Sequence, residues 1–233
     1  MHISALRPHP AAPGIALGLV DLQGPAGPSA PRPGDHLDEA ERARAARFHF
    51  ERDRHRFLAS HTALRELLGR HLGLPPASLR FLQGRYDKPR LDLPAAPAFN
   101  MSHSGRWALI AIGGERPIGV DIEDPREMGD LMPLAERNFS AAEYQALAAL
   151  PEAERHSAFL RCWTRKEACL KAVGSGLSIE PGVFEAGLDS ALRETQMPVS
   201  GQACALTVLS LELGVGAPAA LAWLASGSRA LAF

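Results

Sequence analysis

The sequence predicts an α+β fold in which a helix-then-strands order occurs twice, once on each side of about residue 116. Two observations carry this. Proline-free stretches with Leu, Phe and Ala at helical intervals run from Asp35 to about His71 and from Glu152 to Val173. Continuous apolar runs bounded by turn residues, at 107–112 and 118–123, read as strands, and three further strands follow the second helical stretch.

In chain order, residues 23–34 are a Pro/Gly-rich surface loop. The first helical stretch, about 35–71, breaks once near 50–53 and stops at Gly73-Leu-Pro-Pro. A second Pro-rich connection spans Pro89 to Pro97. Trp107-Ala-Leu-Ile-Ala-Ile112 and Ile118-Gly-Val-Asp-Ile-Glu123, separated by Gly113, Gly114 and Pro117, are expected to pair as a hairpin. A linker through Pro125 and Pro133 leads to a helix near 140–150, where Ser140 and Glu143 form a capping-box pattern. The helix at 152–173 ends at Gly174-Ser-Gly, and strands are expected at 183–188, 203–213 and 218–225.

Composition sets outer limits. With 233 residues, 46% hydrophobic and 22% charged, the chain has the length for one large domain or two small ones and is unlike disordered or fibrous proteins. Lys and Arg number 25 against 26 Asp and Glu, so the whole-molecule charge favours neither nucleic acid nor anionic membrane; any anion site must be local. Cys162, Cys169 and Cys204 are odd in number without a C-x-x-C pair, which argues against a disulfide framework or a structural zinc site and for a reducing compartment. Met1 to Val20 lacks the basic start and unbroken apolar run of a signal peptide, and no stretch reaches the roughly 20 apolar residues that span a bilayer. A soluble cytoplasmic protein is the expectation.

Strand alternation puts Ile118, Val120 and Ile122 on one face and Gly119, Asp121 and Glu123 on the other. Two carboxylates about 7 Å apart repel each other, and two readings fit: a solvated edge strand, or a site where a divalent oxygen-preferring cation such as Mg²⁺ relieves the repulsion. Gly119 would leave room beside them for a ligand. On the helix Phe159–Lys171, Trp163, Glu167, Leu170 and Lys171 share a sector, so Glu167 and Lys171 are either an intrahelical ion pair or a third metal carboxylate beside a phosphate-binding ammonium. Ser102 and His103, in Asn100-Met-Ser-His-Ser104, sit where a loop enters a sheet; they read as polar turn residues or as an anion cradle. Six arginines fall between 42 and 56, with Arg44, Arg47 and Arg54 close on one helical wheel, and Lys88 is a further cation fixed before Pro89. No G-x-S-x-G, P-loop or Rossmann loop is present.

The ordered set Arg47-Phe48, Asp53, Arg56, Lys88-Pro89, Phe99–Ser104, Gly119-Val-Asp-Ile-Glu123, Arg137–Glu143 and Trp163-Thr-Arg-Lys-Glu-Ala-Cys-Leu-Lys171 resembles the 4′-phosphopantetheinyl transferase superfamily, in its long, monomeric Sfp-type form. The resemblance implies two similar α+β halves, 1–115 and 116–233, related by a pseudo-twofold, with the active site in the cleft between them and the metal site in the second half. It implies Mg²⁺ held by Asp121, Glu123 and Glu167, with coenzyme A as substrate gripped by Arg44, Lys88, Ser102, His103, Asp121 and Lys171. Glu167, Lys171 and Asp121 are then the catalytic set, with Glu167, or Glu143 acting directly or through a metal-bound water, as the base for the serine of an acyl or peptidyl carrier protein. The family's usual glycine before Lys88 is Asp87 here.

Overall fold

The computed structural model describes residues 1–25, 27, 30–84, 88–126, 128–174 and 178–225. Three strands open the chain, β1 (His2–Ile3), β2 (Arg7–His9) and β3 (Ala12–Asp21), followed by helices α1 (Glu39–Ala46) and α2 (Glu51–Leu72). Next come β4 (Phe81–Gln83), β5 (Pro89–Leu91), β6 (Phe99–Ser104), β7 (Trp107–Ile112) and β8 (Ile118–Ile122). Helices α3 (Met132–Asn138), α4 (Ala141–Ala148) and α5 (Glu152–Val173) precede β9 (Arg193–Val199), β10 (Gln202–Leu211) and β11 (Ala219–Leu224).

Two antiparallel sheets form, one ordered β1-β3-β7-β6 with β2 also on β3, the other β8-β11-β10-β9; β4 pairs with β5 apart from both. The period-2 alternation of each strand sends one set of side chains to a helix and the other to the opposite sheet. Ile110 and Ile112 of β7 pack with Ala63, Leu64, Leu67 and Leu68 of α2. Leu109 and Ala111 of the same strand meet Ile118, Val120, Leu221 and Trp223 of the second sheet. Leu206, Val208, Ala220 and Ala222 lie under Ala168, Cys169, Leu170 and Ala172 of α5. The architecture is thus helix, sheet, sheet, helix.

The expected hairpin of residues 107–112 and 118–123 does not form. β7 pairs with β3 and β6, whereas β8 pairs with β11. Both strands have apolar faces to bury, and the turn between them carries the chain from one sheet to the other, so that the faces stack instead of sharing a ladder. The expected strand at 183–188 is also absent: Pro181–Val183 is a 3-10 turn, and the amides of Ala186 and Gly187 are bound by Glu143 rather than by a strand. The long β3 escaped sequence reading because Pro13, Gly14 and Gly18 interrupt its alternation.

A local pattern repeats in the two helical regions. Asp38 with Glu41 and Ser140 with Glu143 are both complete capping boxes of eight-residue helices. Each leads into a 22-residue helix that ends on a left-handed glycine, Gly73 or Gly174. The fifteenth residue of each long helix is a fully buried cation paired with its capping-box glutamate, Arg65 with Glu41 and Lys166 with Glu143, both at 2.7 Å. Each cation also donates to two carbonyls of the following 3-10 segment, Pro76 and Leu79 for Arg65, Pro181 and Phe184 for Lys166. Among the described residues, no helix is long and apolar enough to cross a membrane.

Candidate functional site

Strands β6 and β8 are edge strands of different sheets and are joined through side chains. Asn100, Ser102 and Ser104 share one face of β6. Asn100 Oδ1 accepts from the Val120 amide at 2.9 Å, Ser102 Oγ donates to Asp121 Oδ1 at 2.7 Å, and Ser104 Oγ donates to Glu123 Oε2 at 2.8 Å. Helix α5 crosses against β8 so closely that a Cβ on Gly119 would overlap the Ala168 carbonyl oxygen and the Ala172 amide nitrogen. The space beside Gly119 is therefore filled by helix backbone, not left for a ligand. That approach brings Lys171 Nζ to 2.6 Å from Asp121 Oδ1 and 3.0 Å from Ser102 Oγ. Glu167 lies one turn earlier on the same helix.

Asp121 is 3% exposed, and its Oδ2 is buried with no hydrogen-bond partner among the described residues. Burial pushes its carboxyl up, Lys171 and Ser102 pull it only part of the way back, and Glu123 pushes it up further. Burial likewise raises Glu167, opposed by Lys171 and assisted by Asp121 and Glu123. The three acids thus sense one another, and an orphaned buried carboxylate oxygen beside two more carboxylates is a donor set suited to a hard divalent cation such as Mg²⁺. Among the described residues, however, no three such side chains form a ready-made ion site. Lys171 and Ser102 already take Asp121 Oδ1, and Ser104 takes Glu123 Oε2. Beyond Glu123 opens a cavity of about 250 Å³ lined by Met128, Leu134, Phe159, Leu160 and Trp163 among others.

The other face of β6 carries Phe99 and Met101 against α2 and, beyond them, His103. His103 is exposed by area, yet its imidazole is held below the ordinary histidine value, first by its enclosure and then by the positive fields of His61, Lys171, Arg56 and Arg44. Arg44 reaches this cluster from α1, its guanidinium 5.4 Å from the centre of the Phe57 ring. The shared wheel of Arg44, Arg47 and Arg54 does not exist, since the chain breaks between α1 and α2, and Arg54 pairs with Glu51 at 3.4 Å.

Lys88 is engaged elsewhere. Its ammonium donates to the carbonyls of Ile118 at 2.9 Å, Lys171 at 2.6 Å and Ala172 at 3.1 Å, and burial lowers its pKa to about 8. Asp87 lies outside the described residues. Glu143 accepts from Lys166 and the Ser140 amide on one oxygen and from the Ala186 and Gly187 amides on the other. Burial would raise Glu143, but Lys166 and these amides outweigh it and hold the carboxylate low, so Glu143 is a structural anchor and a poor base. All three cysteines are free, and burial pushes the Cys169 thiol up to about 12, far from a nucleophile.

A sequence profile for the 4′-phosphopantetheinyl transferase superfamily matches residues 117–221, and one for the N-terminal part of a 4′-phosphopantetheinyl transferase matches residues 32–114. The chain is 33% identical over 180 residues to the 4′-phosphopantetheinyl transferase Sfp of Bacillus subtilis (strain 168), covering 76% of this chain and 79% of Sfp. The chain belongs to the 4′-phosphopantetheinyl transferase superfamily. It is also 42% identical over 145 residues to HetI of Nostoc sp., a 4′-phosphopantetheinyl transferase, and 40% identical over 144 residues to a putative one of Synechocystis sp.; these matches cover 61% of this chain in each case, and 61% and 58% of the relatives. In those two the chain therefore spans about three fifths of the relative's length.

The two matched stretches of this superfamily member both contribute to the polar junction, Ser102 from the first and Asp121, Glu167 and Lys171 from the second. Sequence reading passed over Asn100 and Ser104 as tethers and over His61 as a neighbour of His103. The period-2 spacing of Asn100, Ser102 and Ser104 was the available signal for the tethers. Nothing local marks His61, because α2 must be placed against β6 before its charge acts on His103.

Proposed function

We propose that the protein transfers the 4′-phosphopantetheine group of coenzyme A to a serine hydroxyl of an acyl or peptidyl carrier protein, with Mg²⁺, releasing adenosine 3′,5′-bisphosphate, as a cytoplasmic monomer. The observation that supports this reading is the Ser102–Asp121–Lys171 junction, where edge strands of both sheets and one helix bring a cation and an orphaned carboxylate oxygen together, with Glu123 tethered to the same strand pair through Ser104. Asp121, Glu123 and Glu167 would hold the metal, which supplies charge stabilisation for the diphosphate when bound.

The chain's own groups account for the rest. The serine oxygen forms a bond to the phosphorus bearing pantetheine, the bond from that phosphorus to the bridging oxygen breaks, and the electron pair leaves on the nucleotide. Lys171 faces the oxygens on which that charge develops. Glu167, whose carboxyl is raised by burial, is the candidate to accept the serine proton. Ser102 orients Asp121 and Lys171 through its single hydroxyl. His103, Arg44 and Arg56 form the cradle for the nucleotide 3′-phosphate, and the largely apolar cavity beyond Glu123 suits the pantetheine arm. With its three hydrogens on carbonyls, Lys88 supports the site by fixing the end of α5.

Mass spectrometry of a carrier protein incubated with coenzyme A and Mg²⁺ tests this. The wild-type protein adds one phosphopantetheine mass per carrier, and Asp121→Ala and Glu167→Ala each slow the transfer by about 100-fold or more. Undiminished mass gain with Asp121→Ala would remove the metal assignment. Coenzyme A cleavage without any carrier modification would point instead to a hydrolase that gives the diphosphate to water.

A further inference from the structure

We infer that Lys171 is an exchangeable counter-ion: its ammonium holds the Asp121 carboxylate until a diphosphate takes it over, so that coenzyme A and a divalent cation enter this junction as one coupled event. The inference rests on the reading that Asp121 is a ligand of that cation, and deepens it by saying how the site loads.

Neither oxygen of Asp121 is open to solvent. Oδ2 is enclosed by the protein, and Oδ1 accepts from Lys171 Nζ at 2.6 Å and from Ser102 Oγ at 2.7 Å. Asp121 is 3% exposed, whereas the Lys171 side chain keeps 29% of its surface in solvent and is the accessible member of the pair. Burial raises the Asp121 carboxyl, and the charge and hydrogen bond of Lys171 are the chief forces against that rise. Lys171 therefore confronts any divalent ion approaching Asp121 with a positive charge already in contact with the same carboxylate, and two cations on one enclosed carboxylate repel each other strongly.

Releasing Lys171 with nothing to receive it is also unfavourable. Among the described residues its remaining hydrogen bond is to Ser102 Oγ at 3.0 Å, and an enclosed ammonium parted from its carboxylate is costly. The oxygens of a diphosphate supply the acceptors it would lose, and a lysine on its flexible four-carbon stem can move from one to the other. Ser102 lets this happen without loosening Asp121: its hydroxyl donates to Asp121 and only accepts from Lys171, so the serine–aspartate bond survives the departure of the ammonium. Glu167, one turn earlier on α5, feels the same ammonium, and its charge is likewise freed for the cation when Lys171 moves. By linkage, coenzyme A and the divalent cation must each tighten the other by the same factor, and removing the Lys171 charge must shrink that factor.

Titration of the full-length protein with Mn²⁺ at about pH 8, above the ordinary carboxylate range, measures this coupling without transfer. The free ion is followed by electron paramagnetic resonance, with and without coenzyme A and with no carrier protein, and a protein-free titration corrects for Mn²⁺ held by coenzyme A in solution. The wild type binds Mn²⁺ weakly alone, and coenzyme A tightens it. Lys171→Met, with Lys171→Gln as a second neutral variant, binds Mn²⁺ about tenfold more tightly alone, and the tightening by coenzyme A shrinks by about the same factor. Lys171→Arg keeps the charge, and with it the weak binding and the large tightening. Unchanged Mn²⁺ affinity in the neutral variants would overturn the inference. So would an equal gain with and without coenzyme A, the mark of a cation that stays in place and acts only through its field. A wild-type protein that shows the coupling but never modifies a carrier would sink the transferase reading and leave the exchange standing; one that modifies a carrier without the coupling would do the reverse.

Discussion

Lys88 and the two glutamates Glu143 and Glu167 show how far a side chain's role depends on its surroundings. Glu143 and Glu167 are both substantially enclosed, yet one is held low by a paired lysine and backbone amides while the other is pushed up among fellow carboxylates. One is therefore an anchor and the other a candidate base. Lys88 sits on three carbonyls, with no carboxylate partner among the described residues, and its pKa falls to about 8 from the ordinary 10.5. Between those values the unfolded chain carries more protons at this group than the folded one, so its contribution to stability rises with pH in that window. The difference in unfolding free energy between wild type and Lys88→Met, measured with urea, should be flat below about pH 8 and climb above it by at most about 1.4 kcal/mol per pH unit. A difference that falls over that range would mean that Lys88 is not buried as a cation.

At the scale of elements, the contact that makes the site is between β8 and α5, and Gly119 permits it. A side chain there would lie 2.8 Å from the Lys171 carbonyl carbon as well as overlapping two other backbone atoms. Gly119→Ala must push α5 away, taking Glu167 and Lys171 from Asp121. The expected result is a loss of about 1–3 kcal/mol in stability and a fall of about 100-fold in transfer rate, because displacements of about 1 Å at a reacting centre cost that much. A variant with wild-type rate would show that the spacing of β8 and α5 is not what sets the chemistry. The repeated capping-box, long-helix and 3-10 unit explains why α2 and α5 are each rigid enough to present side chains accurately: a buried cation fixes each helix both to the short helix before it and to the segment after it.

For the whole molecule, the consequence follows from where the core lies. Both sheets depend on a shared apolar layer, with Leu109 and Ala111 from one meeting Ile118, Val120, Ile122 and Leu221 from the other. Neither sheet could keep its inner face dry alone, so unfolding should be one cooperative event. Tryptophan fluorescence, which samples Trp107 and Trp223 at that layer and Trp163 on α5, should give the same urea midpoint as far-UV circular dichroism. Two separated transitions would indicate independently stable halves.

The two long helices, their glycine stops, the Ser140–Glu143 capping box and the acidic and basic types around Asp121 and Lys171 were legible along the chain, because periodicity, capping and strand alternation act within a few residues. The sequence could not decide that β7 and β8 belong to different sheets, that the room beside Gly119 is occupied by α5, or that Lys88 faces carbonyls. Those outcomes depend on which apolar face finds which partner across tens of residues, a choice made by burial in three dimensions that leaves no local mark on the chain.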